Sequence, residues 1–292
     1  MDQASLVPAP KATTLDHRRF TRLSEIITRE LGIRMPPTKL TMLESRLQRR
    51  MRELEITSLD EYEAHLFEGG PASGELVHFF DIVTTNKTDF FREPQHFDYL
   101  VKKALPTLAG ENGLEDAWNF KLWCAGCSSG QEVYTLGMTL SEYAATRRGF
   151  SFSMLGTDIS TRILQQAQRA IYTEEMIAPV PMEVRRKYLL RSADKAQRLV
   201  RVVPELRAKA RFGRLNFMDR EYGIREEFDV IFFRNVMIYF DKPTQEAVIN
   251  RMCRNLRSGG YLFISHSESL TGLEVPLEVV GNSVFRKKRS KL

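Results

Sequence analysis

Cysteine is scarce in this 292-residue chain: there are three, an odd number. No disulfide framework can be drawn from them, and reduced thiols in a cytosolic setting fit best. Long apolar runs are missing too. Stretches such as Tyr261 to Ile264 are far too short to cross a bilayer. The first fifteen or so residues hold prolines and alanines but no apolar signal core, so they read as a floppy tail with nothing that directs export. No internal repeat and no low-complexity tract is present. The dinucleotide fingerprint G-x-G-x-x-G is absent, and the five histidines (His17, His65, His78, His96, His266) form no second paired cluster that would complete a zinc site.

What is present is an ordinary globular composition, 42% hydrophobic and 27% charged, with room for two domains or for one large domain carrying an insert. The formal charge of +6 implies an acidic partner: nucleic acid, an anionic membrane or an acidic protein surface. The terminus Arg286 to Lys291 contributes much of that charge and doubles as a solvated end.

The first part of the chain patterns as helices. Asp16 caps a helix through Phe20, Leu23, Ile26 and Ile27 that stops near Gly32. After Pro36 and Pro37, a second helix carries Leu40, Leu43, Leu47, Met51 and Leu54 at three- and four-residue spacing. Ser58 with Glu61 forms a capping box for a third, through Tyr62 and Leu66. A loop through Gly69, Gly70, Pro71, Ser73 and Gly74 precedes a fourth, with Leu76, Phe79, Phe80 and Val83.

From about residue 118 strands alternate with helices. Strands are expected at Phe120–Cys124, Phe152–Gly156, Phe228–Phe233 and Gly260–Ser265. Helices are expected at Gln131–Ala145, from Ser160 to about Ile171, and at Lys242–Leu256. The alternation argues a doubly wound, mostly parallel α/β sheet. Ser283–Lys287 adds an expected edge strand. Between Tyr172 and Arg214 the alternation breaks: a polar helix near Met182–Leu190 and two β-like runs, Arg198–Val203 and Ala208–Leu215, read as an inserted hairpin subdomain. The domains expected are therefore a tail over 1–15, helices over 16–92, and an α/β domain over 93–292 with its β-insert at about 172–214.

Four segments carry candidate chemistry. L-W-C-A-G-C-S-S-G-Q-E (122–132) ends a strand in small residues and opens a helix, where a ligand can approach the backbone closely. Asp158, in G-T-D-I-S past the second strand, can accept both hydroxyls of a ribose, or can simply cap a helix. The third strand ends in F-F-R-N-V-M-I-Y-F, which delivers Arg234, Asn235 and Tyr239 to the carboxyl end of the sheet. T-T-N-K-T-D-F-F-R-E (84–93) lies at the expected domain junction and is either a ligand site or a hinge. W-C-A-G-C is similar to a thioredoxin motif, but Ser-Ser-Gly follows it instead of an amphipathic helix. His266 reads as local packing.

Taken in order with L-N-F-M-D, these blocks resemble the CheR-type chemotaxis receptor glutamate methyltransferases over roughly residues 16 to 288. The resemblance implies a class I S-adenosylmethionine-dependent methyltransferase fold with an N-terminal helical domain and an inserted β-subdomain. It implies S-adenosyl-L-methionine as cofactor, leaving S-adenosyl-L-homocysteine. By position it assigns Asn86, Thr88 and Arg92 to the methionine end and the catalytic cleft. Ala125 and Glu132 line the cofactor, Asp158 holds the ribose, and Asn216 and Phe217 frame the adenine. Arg234, Asn235 and Tyr239 close the pocket, with Arg92 and Tyr239 as the catalytic pair. Gln131 stands where many relatives have glutamate; the residue whose role matters is Glu132. The implied partners are methyl-accepting receptors, with an acidic methylation helix and, in some relatives, a C-terminal receptor peptide on the β-subdomain. The implied location is the cytoplasm, with recruitment to membrane receptor arrays. The basic run on the second helix would dock the acidic helix through Arg46, Arg49 and Arg50, since arginine suits carboxylates. No metal is called for. The competing readings are methylation of another substrate such as RNA, or a non-catalytic adaptor of the same fold.

Overall fold

The computed structural model describes residues 14–68, 74–112 and 117–289. The expected N-terminal tail up to residue 13, residues 69–73 of the expected loop and the last three residues of the basic terminus lie outside the described residues. The chain divides into two compact units, one ending at Thr85 and the other running from Asn86. The division falls earlier than the sequence boundary after Arg92. The reason is a set of ties from the 86–92 segment into the second unit: Ser128 Oγ donates to Asn86 O, Phe91 N to Thr135 Oγ1, and Arg234 Nη2 to Arg92 O.

In the first unit, α1 (His17–Leu31) starts where the Asp16 carboxylate accepts Arg19 N and stops at left-handed Gly32, whose N–H returns to Thr28 O. Its buried face is Phe20, Leu23, Ile27 and Leu31. α2 (Leu40–Glu53) buries Leu43, Leu47 and Met51, the seam read from periodicity. α3 (Leu59–Phe67) begins at Ser58, whose side chain accepts Glu61 N, and α4 (Gly74–Val83) buries Leu76, Phe79, Phe80 and Val83. Each such side chain contributes about 1.5–3 kcal/mol on burial.

The arginines of α2 are held within the helical unit to different degrees. Arg50 lies mostly buried beside the apolar seam. It makes a two-pronged ion pair with Glu75, Nε to Oε1 at 3.0 Å and Nη2 to Oε2 at 2.6 Å, and Tyr62 Oη donates to the same carboxylate at 3.0 Å. Arg46 Nη1 donates to the carbonyls of Ile82, Val83 and Thr84, the last turn of α4 and the residue beyond it. Such carbonyls have no intrahelical partner, so a cation suits them. Arg49 alone of the three is exposed, with 79% of its side chain in solvent, and pairs with Glu53 one turn on.

In the second unit a helical stretch opens with α5 (Gln95–Tyr99), passes through one π-turn over Leu100–Ala104 and continues as α6 (Leu105–Asn112). Then follow β1 (Trp118–Ala125), α7 (Gln131–Ala144), β2 (Phe150–Asp158), α8 (Thr161–Arg169), β3 (Ile171–Thr173), α9 (Met182–Tyr188), β4 (Leu189–Arg191), β5 (Leu199–Val202), α10 (Pro204–Arg207) and β6 (Ala210–Arg214). β7 (Phe228–Phe232), α11 (Lys242–Arg254), β8 (Leu256–Phe263), β9 (Leu277–Gly281) and β10 (Val284–Lys287) complete it. The main sheet has the order β6-β2-β1-β7-β8-β10-β9. β6, β2, β1, β7 and β8 are parallel, and β10 and β9 are antiparallel additions. β7 is buried at every position, as expected for a central parallel strand covered on both faces. α7 and α8 pack on β2, and α11 on β8.

Two expectations are corrected. Val284–Lys287 is not the edge strand: β9 lies outside it and forms the edge. The run Ala208–Leu215 is not part of the insert, because its core, β6, pairs in parallel with β2 at the other end of the main sheet. The insert is instead a three-stranded antiparallel sheet, β3-β5-β4, with α9 leading into β4. Both errors arise because strand propensity is local while the choice of partner strand is not.

Candidate active site

β2 and β7 lie on opposite sides of β1, so the connections leaving β1 and β7 diverge and open a crevice at their carboxyl ends. The turn after β1 is built for close approach. The amides of Gly126 and Cys127 both donate to Thr157 O at the end of β2, at 2.8 and 2.9 Å. Gly126 sits at φ +77°, and a Cβ there would lie 2.5 Å from Val236 Cγ2, so only glycine fits between this turn and the β7 loop. The turn then delivers Gln131 as the first residue of α7.

Asp158 is buried at the tip of β2 and accepts Ser128 N through Oδ2 (2.9 Å) and Ser160 N through Oδ1 (3.0 Å). These bonds orient the carboxylate at the tip of β2. Across the turn, Glu132 accepts the Cys124 thiol at 3.1 Å and pairs with Arg234 Nη1 at 2.8 Å. Burial, and then the nearby Glu132 charge, pushes the Cys124 pKa well up. Burial and the charge of Asp158 do the same for Cys127, so neither thiol is poised for redox exchange.

Arg234 organises the centre. It is 4% exposed, and its guanidinium lies between Glu132 and Glu93 (Nη2 to Oε2, 3.1 Å), over the Phe97 ring and against Arg92 O at 2.6 Å. One buried cation between two carboxylates offsets one of their two charges and leaves the cluster net negative. Glu93 itself was missed as a functional residue, although it directly follows Arg92 in the sequence. Burial would raise its pKa. The Ser265 hydroxyl, at 2.7 Å, and the Arg234 charge outweigh that and hold it below the usual carboxylate range. His96, one turn on, is 1% exposed; burial first, then the Arg234 charge, press its pKa down to about 4. Donor atoms of Glu93, His96 and His266 lie within 4.8 Å of one another. Arg234, however, already supplies the positive charge at the Glu93 oxygen.

The other residues of this unit named from sequence lie at or after the ends of β1, β6 and β7 or precede α5. Asn86 is tied to the glycine turn through Ser128, and Thr88 and Arg92 are half-buried just after it, with Arg92 Nη1 donating to Lys87 O at 3.4 Å. Asn216 follows β6, where its Oδ1 accepts Met218 N; Phe217 packs edge-on against Phe233, with centroids 5.0 Å apart. Ala125 closes β1 with 1% exposure. Asn235 leaves β7 in left-handed backbone, φ +60°, and Tyr239 ends a short turn at Met237–Tyr239, half-buried. Arg46, Arg49 and Arg50 belong to the other unit. Also missed were Ser265 and Glu268, which follow β8 in S-H-S-E. They bond the Asn235 side chain and backbone, and an acidic residue just past a parallel strand was the available signal.

Two family models cover this arrangement. Residues 86–285 match "CheR methyltransferase, SAM binding domain", and residues 18–84 match "CheR methyltransferase, all-alpha domain". The chain belongs to the CheR methyltransferase family. Among its relatives, the chemotaxis protein methyltransferase of Klebsiella aerogenes is 36% identical over 291 residues, covering 99% of this chain and 96% of that protein. The one from Borreliella burgdorferi is 35% identical over 269 residues, 92% of this chain and 93% of that protein. The one from Escherichia coli K12 is 34% identical over 280 residues, 96% of this chain and 94% of that protein. S-adenosylmethionine is thus the cofactor, and the protein is a methyltransferase of the chemotaxis type. The glycine cradle at Gly126, with the Asp158 and Glu132 carboxylates beside it, fits a ligand carrying ribose hydroxyls and an ammonium group. No helix among the described residues is long and apolar enough to cross a membrane.

Proposed function

We propose that the protein methylates glutamate side chains of methyl-accepting chemotaxis receptors, forming methyl esters that serve sensory adaptation. The observation that carries this reading is the near full-length likeness to chemotaxis protein methyltransferases, with the all-α domain included, over a crevice whose polar groups come from the carboxyl ends of β1, β2 and β7. S-adenosylmethionine, when bound, supplies a methyl group on a sulfonium. Asp158 would take the ribose hydroxyls, Glu132 the amino group, and Asn216 and Phe217 the adenine. Asn86 and Thr88 would hold the methionine end, while Arg234, Asn235 and Ala125 wall the pocket.

The acceptor carboxylate has a reference pKa of about 4.3, so at neutral pH it is already ionised by a factor of several hundred. The protein therefore needs no general base. Its task is alignment, worth on the order of 7–11 kcal/mol in ideal cases. Arg92 and Tyr239 would orient the incoming carboxylate without quenching it. Attack on a sulfonium neutralises charge, so a crevice drier than water favours it.

In the helical unit, Arg49 leads the docking of an acidic receptor helix, because its exposed pair with Glu53 is worth only about 0.3–0.5 kcal/mol and is easily exchanged. Arg46 and Arg50 act one step back, by holding α2 and α4 in shape. A receptor tail peptide could add a strand to the free edge of β3 or β4 in the small sheet. The deciding experiment incubates the protein with methyl-labelled cofactor and receptor-bearing membranes. Label released as methanol by alkali supports the reading; alkali-stable label, or label on RNA instead, overturns it.

A further inference from the structure

The turn that carries Tyr239 is too short to satisfy its whole backbone internally. After β7 the chain enters left-handed backbone at Asn235 (φ +60°) and closes a single short turn at Met237–Tyr239. Within it Tyr239 N donates to Val236 O (3.2 Å) and Phe240 N to Met237 O (3.0 Å), but the amides of Asn235 and Ile238 need partners from elsewhere, and each buried polar group left without one costs about 1–3 kcal/mol. Two side chains bind the turn from opposite sides. The Glu268 carboxylate accepts Asn235 N through Oε2 (3.1 Å) and Ile238 N through Oε1 (3.4 Å); its Oε2 also takes Ser265 N at 2.9 Å, which fixes the carboxylate to the end of β8. From α11, Gln245 Nε2 donates to Met237 O at 3.0 Å and to Phe240 O at 3.1 Å. The Asn235 side chain adds a third anchor, donating to Ser265 Oγ at 2.7 Å.

We propose that Glu268 and Gln245 are the positioning residues of this enzyme: together they clamp the turn Asn235–Tyr239 and set the aim of the Tyr239 hydroxyl. Neither touches substrate; both act through the turn. The clamp spans three elements that come together only in the folded sheet, the β7 loop, the β8 loop and α11. It is rigid because donors and acceptors of the turn are held at once. This rests on the role given to Tyr239 above. Misplacing an aligned group by about 1 Å costs on the order of 100-fold in rate, so loosening the clamp should act on turnover.

The test compares Glu268→Gln and Gln245→Leu with the parent chain in three measurements: methyl transfer to receptor membranes, binding of S-adenosylhomocysteine by calorimetry, and amide hydrogen exchange. Glu268→Gln keeps the shape but sets an NH2 donor against a backbone donor. The expected result is a kcat lowered roughly 10- to 100-fold in each variant. The dissociation constant for S-adenosylhomocysteine should stay within about threefold of the parent, and exchange at Asn235 and Ile238 should be faster in Glu268→Gln. The double variant should lose little more than the worse single one, because both act on one turn. A kcat within twofold of the parent overturns the proposal, as does a lowered kcat with unchanged exchange of the turn amides. If the parent chain transfers no methyl group to receptors, the proposed function fails. The exchange data then still show by themselves whether Glu268 holds the turn.

Discussion

Replacing Arg50 by methionine separates two roles for the basic helix. If Arg50 served the receptor, its loss would raise KM and leave folding untouched. The structure points elsewhere: Arg50 holds Glu75 with two bonds, and the Glu75 side chain is only 4% exposed. Burial favours the protonated Glu75, but the Arg50 and Tyr62 bonds outweigh it and keep its pKa below the ordinary value. Removing one partner of such a pair costs about 3–5 kcal/mol, because the other is left charged and dry. The Arg50 side chain is 15% exposed, so some water can enter, and the lower end of that range, about 3 kcal/mol, is the better figure. For a unit of fewer than a hundred residues this corresponds to a fall in Tm of roughly 12–24 °C. The assay is calorimetric unfolding of Arg50→Met, of Arg50→Met with Glu75→Gln, and of Arg49→Met as the exposed control. The double variant should recover most of the loss, since the neutral amide still accepts from Tyr62; the control should stay within about 0.5 kcal/mol of the parent. A cost under 1 kcal/mol for Arg50→Met, or a double variant no better than the single, would refute the reasoning.

Tyr239→Phe and Arg92→Ala should each lower turnover on receptor membranes by more than tenfold while changing cofactor affinity little; full turnover in both would remove their catalytic roles. Asp158→Ala should weaken S-adenosylhomocysteine binding by roughly 10- to 100-fold, the worth of one or two bonds to a charged acceptor, and calorimetry reads this directly. Gly126→Ala should cost about 2–4 kcal/mol, because it combines left-handed backbone with a Cβ driven into Val236, and adding Val236→Ala should return the steric part. Acid stability should report His96. Its folded pKa, about 4, lies below the ordinary 6.5, so the unfolded chain takes up the proton first as pH drops. Stability present above pH 6.5 is then lost on acidification toward 4, by up to roughly 3 kcal/mol. Glu93, also depressed, acts in the same direction but only below about pH 4.5, so the upper part of the window belongs to His96. Urea unfolding of parent and His96→Phe at pH 7 and 5 compares them; identical acid sensitivity in both would contradict the assignment.

What local sequence determined here is what neighbouring residues decide among themselves. The caps at Asp16, Ser58 and Ser160 each receive the expected backbone N–H, and the buried seam of α2 is the apolar stripe read from spacing. Capping geometry and periodicity extend over only one or two turns, so they need no knowledge of the rest of the fold. The motif blocks also placed the candidate site at the ends of β1, β2 and β7, because an α/β alternation fixes which strand ends share one rim. Everything that required a distant partner was decided by the tertiary structure: β6 joining the main sheet, β9 taking the edge, Arg50 turning to Glu75, Arg234 lodged between Glu93 and Glu132, and Glu268 gripping the Tyr239 turn. In each case a polar group or a strand edge had to be satisfied, and the partner that satisfied it was chosen by which surfaces packing brought together.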